Sequence, residues 1–81
     1  MLIHPQHFVK AYVINVAPDD KLQLRSAPRQ ASPAVAEIPF DSTDITAFDW
    51  DPTVDGDTWW FPAEWHGYLG YVAAKYISIS Q

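Results

Sequence analysis

The chain has 81 residues, no cysteine, and ten carboxylates against five lysines and arginines, for a formal net charge of −5. That length makes one small domain with a modest core, and the missing cysteines exclude a disulfide staple, a thiolate nucleophile and a thiolate metal site. The acidity excludes the concentrated basic face that a phosphate backbone requires, and it disfavours anionic lipids and wall polymers, so a cationic, amine-bearing or neutral partner fits better.

Residues 1–9 read as a lead-in, with Pro5 blocking regular structure, and residues 10–81 as the domain. From Phe8 to Ala17 the residues are rich in Val, Ile and Tyr, which favours a strand running out of the lead-in. Pro18-Asp19-Asp20-Lys21 predicts a turn. Leu22-Gln23-Leu24-Arg25 alternates apolar and polar and predicts a half-buried strand. Ser26 to Pro33 is a proline-bearing loop, Val35 to Phe40 a strand, and Ile45 to Phe48 another after the Asp41-Ser42-Thr43-Asp44 turn.

Residues 49–57, Asp-Trp-Asp-Pro-Thr-Val-Asp-Gly-Asp, form an acidic insertion that Pro52 and Gly56 mark as a mobile loop. Thr58 to Ile77 then reads as a hairpin turning at His66-Gly67, one helical turn near Ala73 to Lys75, and a last short strand. No segment longer than one turn has a helical period. Short strands with turn signals every eight to twelve residues predict a small all-β barrel or sandwich. Its core is expected to take Leu22, Leu24, Val35, Ile38, Ile45, Ala63, Val72 and Ile77. Twelve aromatic side chains exceed what such a core uses, so some are expected on the surface.

No apolar run approaches the roughly 18–20 residues that span a bilayer. The first residues lack the basic region and small-residue cleavage site of a signal peptide, a pattern that fits a cytoplasmic protein or a mature start at Met1.

Several landmarks in order carry a family resemblance. Leu22-Gln23-Leu24-Arg25-Ser26-Ala27-Pro28 is similar to a Leu-Asn-Val-Arg-Ser-Gly-Pro strand and loop, and Pro33-Ala34-Val35-Ala36-Glu37-Ile38 to the Pro-Val-Ile-Gly-Thr-Leu strand after it. Trp60-Phe61 through Gly67 resembles a Trp-Tyr-Lys-Val-x-x-x-Gly hairpin, Gly70-Tyr71-Val72 its Gly-Trp-Val, and Ala74-Lys75-Tyr76-Ile77 a closing Ser-x-Tyr-Leu. Together these resemble the bacterial SH3-like (SH3b) domains over roughly residues 10 to 79. The departures are Ala27 for the loop glycine, Tyr71 for a tryptophan, and the longer acidic insertion. The resemblance implies an SH3-like barrel of five or six short strands with a 3₁₀ turn near the C-terminus. It also implies a non-catalytic binding module in the cell envelope or periplasm.

The tryptophan pair is the first candidate site. Neighbours on a strand point to opposite faces, so Trp59 and Trp60 do not share one core. By position in the better-known SH3 domains, Trp59 and Tyr76 would be neighbours on a peptide-binding shelf; the competing reading puts Trp59 inside with Phe61, Ala63 and Trp65. Tyr71 joins the candidates as the counterpart of the family tryptophan. Trp50, set among aspartates, either pins the insertion to the barrel or waits for a partner. Asp49, Asp51, Asp55 and Asp57 would pair with amines of a ligand whose sugar or peptide part stacks on the ring. They do not make a calcium loop, since position twelve from Asp49 is Trp60 where a bidentate glutamate belongs. No serine or threonine sits beside a histidine in a nucleophile motif, and no metal, cofactor or catalytic residue is expected.

Two functions follow from these readings. One is a module that recognises cell-wall peptide or glycan, in particular peptidoglycan, and targets an attached partner. The other is a stand-alone acidic protein-interaction domain, inhibitor-like or immunity-like, that occupies a basic protein. A structural adaptor cut from a longer chain is the third possibility.

Overall fold

The computed structural model describes residues 8–48 and 52–79, with the side chain of Phe8 left aside. Eight strands follow one another: β1 (Phe8–Val13), β2 (Lys21–Arg25), β3 (Ala34–Pro39), β4 (Ile45–Phe48), β5 (Thr53–Asp55), β6 (Thr58–Trp65), β7 (Tyr68–Ala73) and β8 (Ile77–Ile79), with a 3₁₀ turn at Ala74–Tyr76 before the last. All pairings are antiparallel and run β3-β2-β7-β6-β4-β1-β8, with β5 added to β6 off that path. The expected all-β class and the closing 3₁₀ turn are present.

One cluster fills the interior, and every strand on that path contributes to it: Ala11 and Val13, Leu22 and Leu24, Ile38, Ile45 and Ala47, Ala63, Val72, and Ile77. A single sheet encloses one core this way only by curling over on itself. Period-two alternation places these residues. On β2, Leu22 and Leu24 are buried while Lys21, Gln23 and Arg25 face outward.

Two tight turns have the backbone that their residues permit. In His66-Gly67 both residues have positive φ, 51° and 88°, the two-residue type I′ geometry that matches strand twist. Gly56 has φ 66° and begins the two-residue turn between Asp55 and Thr58. Gly70 meets a different demand. A Cβ built there would lie 2.5 Å from the Arg25 carbonyl oxygen and 2.9 Å from Leu24 Cγ, so β7 approaches β2 more closely than a side chain allows.

The structure corrects the sequence reading at several points. Eight strands are found among the described residues, against the five or six expected. Part of the difference lies in the insertion, where Thr53–Asp55 pairs with Thr58–Trp60 as a hairpin arm in place of the mobile loop. The first strand begins at Phe8, as expected, so β1 runs out of the segment read as a lead-in. The strand expected to reach Ala17 stops at Val13, because Asn15 turns the chain at φ 60° and its side-chain amide donates to the Lys75 carbonyl at 3.0 Å. Val35, expected in the core, is 39% exposed. The β2–β3 register shifts between Leu24 and Arg25, whose partners are Ala36 and Ala34, so Val35 is the extra residue of a β-bulge and faces outward with Glu37.

Candidate functional site

The outer faces of β2, β6 and β7, the β1–β2 connection and the 3₁₀ turn enclose a cleft of about 380 Å³, within the range of small-ligand sites. Its aromatic lining is Trp60 and Tyr76. On one side stands the β1–β2 connection, from Asn15 to Ala17 and at Asp20; on the other are Lys21, Gln23 and Arg25 of β2, with Gln30 from the loop beyond.

Each part of this cleft is held by bonds that the local sequence permits. The β1–β2 connection is tied to the 3₁₀ turn by the Ile14 amide donating to the Tyr76 carbonyl at 2.8 Å and by the Asn15 amide bond to Lys75. It ends in a turn closed by the Asp20 amide on the Ala17 carbonyl, while Asp20 Oδ1 accepts from the Lys21 amide at 2.8 Å. The loop after β2 is organised by Ser32, whose buried hydroxyl lies 2.9 and 2.8 Å from the Ala27 and Arg29 carbonyls. Arg25 donates from one Nη to the Ser32 carbonyl at 2.9 Å, which fixes the guanidinium at the cleft.

Trp60 is the least expected member. Its ring is 2% exposed, yet it lies on the face opposite Phe61, Ala63 and Trp65 and outside the main core cluster. Its indole N–H is buried and has no acceptor among the described residues. A buried donor left without a partner costs about 1–3 kcal/mol.

The charges divide unevenly. Lys21 and Arg25 line the cleft, and among the described residues the one ion pair is His66 with Asp44, so neither cation is neutralised by a carboxylate. The Lys75 ammonium stands 5.3 Å from the centre of the Tyr76 ring, a cation–π distance. Against these the cleft lining has one acid, Asp20.

Of the residues singled out from sequence, Tyr76 lines this cleft; Trp59 does not. Trp59 has the parity of Phe61, Ala63 and Trp65 but sits at the open end of β6, 53% exposed, directly opposite exposed Val54 on β5. It thus takes neither the shelf beside Tyr76 nor the core. Tyr71 is half-buried on β7, paired across strands with Arg25 and Pro62. Asp55 precedes the exposed β5–β6 turn and Asp57 is its second residue. Asp49, Trp50 and Asp51 lie outside the described residues. The sequence reading did not single out Lys21 and Arg25, although the outward positions of an alternating strand at i and i+4 were legible.

A second polar cluster fastens the β6–β7 turn to the end of the β3–β4 connection. Asp44 accepts from Trp65 Nε1 at 3.0 Å and pairs with His66 Nε2 at 2.7 Å, the two rings being stacked 4.0 Å apart. The His66 hydrogen bond holds the Asp44 carboxyl below its ordinary value, with the Trp65 donor acting in the same direction. Glu64 accepts from the Gly67 amide at 2.6 Å. These bonds satisfy the turn and leave the cluster reading as a structural tie. Among the described residues no group of His, Asp or Glu gathers as metal ligands would, and no helix is long and apolar enough to cross a membrane.

Compared with protein-family models, curated proteins and solved structures, the chain gives no match.

Proposed function

We propose that this chain is a non-catalytic binding module of the bacterial SH3-like kind, which recognises a peptide-bearing ligand of the cell envelope and so positions a partner. The observation that carries this reading is the preformed cleft over Trp60 and Tyr76, held open by bonds between the β1–β2 connection and the 3₁₀ turn. The order of sequence landmarks and the all-β fold ending in a 3₁₀ turn support the same reading. A preformed site binds without the cost of ordering its own loops.

Sedimentation with purified peptidoglycan tests the proposal. Retention of the parent protein, reduced in a Tyr76→Ala variant, supports it; a parent that stays in the supernatant overturns the envelope assignment. The β5–β6 hairpin favours a second reading, an acidic domain that occupies a basic protein, because Trp59 and Val54 are exposed beside Asp55 and Asp57. Salt-sensitive capture on polylysine that is lost in an Asp55→Asn, Asp57→Asn variant would support that reading instead.

A further inference from the structure

We infer that the cleft over Trp60 and Tyr76 takes an acidic peptide segment in extended conformation, its carboxylates received by Lys21 and Arg25. This deepens the binding-module reading and rests on it. Three observations carry it. First, the two cations of the cleft lack carboxylate partners among the described residues, and unpaired charge beside a partly enclosed surface favours a counter-charged ligand over water. Second, Arg25 is positioned and not merely present, since one Nη is anchored on the Ser32 carbonyl while the rest of the fork remains for a planar anion. Third, the lining between them is suited to a peptide: Gln30 offers a side-chain amide, Gln23 (whose Nε2 donates to Glu37 at 3.2 Å) keeps its amide oxygen as an acceptor, and Tyr76 offers ring surface beside the buried Trp60.

The spacing narrows the ligand. Lys21 and Arg25 are four residues apart on one strand face, about 13 Å at the rise of a β-strand. An extended peptide with acidic residues at its first and fifth positions covers the same span, and an aromatic residue between them would lie over the Trp60 and Tyr76 region. A long polyanion such as nucleic acid does not fit this reading, because the rest of the chain is acidic and the cleft has only two cations to offer.

The test uses two synthetic peptides, acetyl-Glu-Ala-Tyr-Ala-Glu-amide and its Lys counterpart acetyl-Lys-Ala-Tyr-Ala-Lys-amide. Each is titrated into the isotope-labelled full chain and followed by amide, Arg Nε and indole resonances. The expected result is saturable movement of the Arg25 and Trp60 side-chain signals with the acidic peptide. Arg25→Gln or Lys21→Gln should then weaken binding roughly ten-fold each. Lys21 is exposed and its side chain makes no hydrogen bond among the described residues, so that variant keeps the fold if Arg25→Gln loosens the Ser32 loop. If the basic peptide moves the cleft signals and the acidic one does not, the inference about ligand charge is overturned while the binding site stands. If neither peptide moves them, the inference fails. If shifts gather instead at Trp59 and Val54, the cleft itself is the wrong site and the binding-module reading fails with it.

Discussion

Gly70→Ala should be among the most damaging single-methyl additions this chain can receive. The added carbon would stand 2.5 Å from the Arg25 carbonyl oxygen and 2.9 Å from Leu24 Cγ, where ordinary carbon contacts lie at about 3.5–4.0 Å. A side-chain atom can swing away; a backbone carbonyl moves only with its strand, so β2 must retreat from β7 by about 1 Å. That retreat falls at Arg25 and Tyr71, the one register pair that joins β2 to β7 and so couples the β2–β3 arm to the rest of the sheet. Overpacking of this kind costs about 1–3 kcal/mol, while the loss of backbone freedom in the unfolded chain returns only about 0.4–1 kcal/mol. The net, roughly 1–2 kcal/mol, corresponds to a melting temperature lower by about 5–15 °C in a domain of this size. Thermal unfolding followed by tryptophan fluorescence measures it. Gly67→Asn serves as the control: a Cβ there meets nothing within 4 Å and asparagine tolerates positive φ, so its melting temperature should change far less. A Gly70→Ala protein that melts within 2 °C of the parent would show that the strands do not approach as described.

Leu24→Ala, at a fully buried side chain packed against Gly70, should cost about 2–5 kcal/mol in urea unfolding. Trp60→Phe leaves a void at a buried site but also removes the unpartnered indole N–H, so by the same assay it should cost less than the roughly 3–5 kcal/mol of a full Trp→Ala truncation. The Asp44 carboxyl is held below 3.8 chiefly by its His66 hydrogen bond; because its folded pKa is the lower one, its contribution is present above about pH 3.8 and is lost as the pH falls through the folded value. Both partners are more than half exposed at the side chain, so Asp44→Asn should lower stability by at most about 1 kcal/mol at pH 6, and the difference should shrink in acid-unfolding curves as the pH falls through the folded value. Stopped-flow binding of the acidic peptide should quicken at low salt when Asp55 and Asp57 become Asn, and the gain should disappear at physiological ionic strength.

What could be read from sequence divides along the kind of signal each feature carries. The alternation on β2 and the His66-Gly67 turn were legible because side-chain period and positive-φ preference are local properties. The landmark order also anticipated the 3₁₀ turn at Ala74–Tyr76. Val35 was misplaced because its apolar type was weighed above its parity: alternation with Ile38 and Ala36 inside puts Val35 outside with Glu37, where the structure has it, and the β2–β3 register shift only leaves it unpaired. The β5 arm was hidden because Thr53-Val54-Asp55 is too short to show alternation and gains its identity from β6. The tryptophan pair was read correctly as two faces, but not which ring would be covered. Trp60 lines the cleft with the β1–β2 connection and the 3₁₀ turn, both distant in sequence, and is buried there, while Trp59 has the inward parity and runs past the end of the core.

The net charge and the cleft argue for different ligands, and distance decides between them. A charge of −5 describes the field at long range, where it favours a cationic or neutral partner and governs encounter. Within the cleft the lining charges are Lys21, Arg25 and Asp20, with the Glu37 carboxylate held at its edge by Gln23 Nε2 at 3.2 Å. Asp57 stands three residues along the β-hairpin from Trp60, about 10 Å at strand rise, which is already beyond the Debye length of about 8 Å at physiological salt. The hairpin acids therefore slow the approach of an acidic peptide far more than they weaken it once seated. They would also reject long polyanions, whose many charges extend past the cleft into that field. A site of local positive charge inside an acidic shell is thus selective by length: it accepts a short acidic segment and excludes an extended acidic polymer.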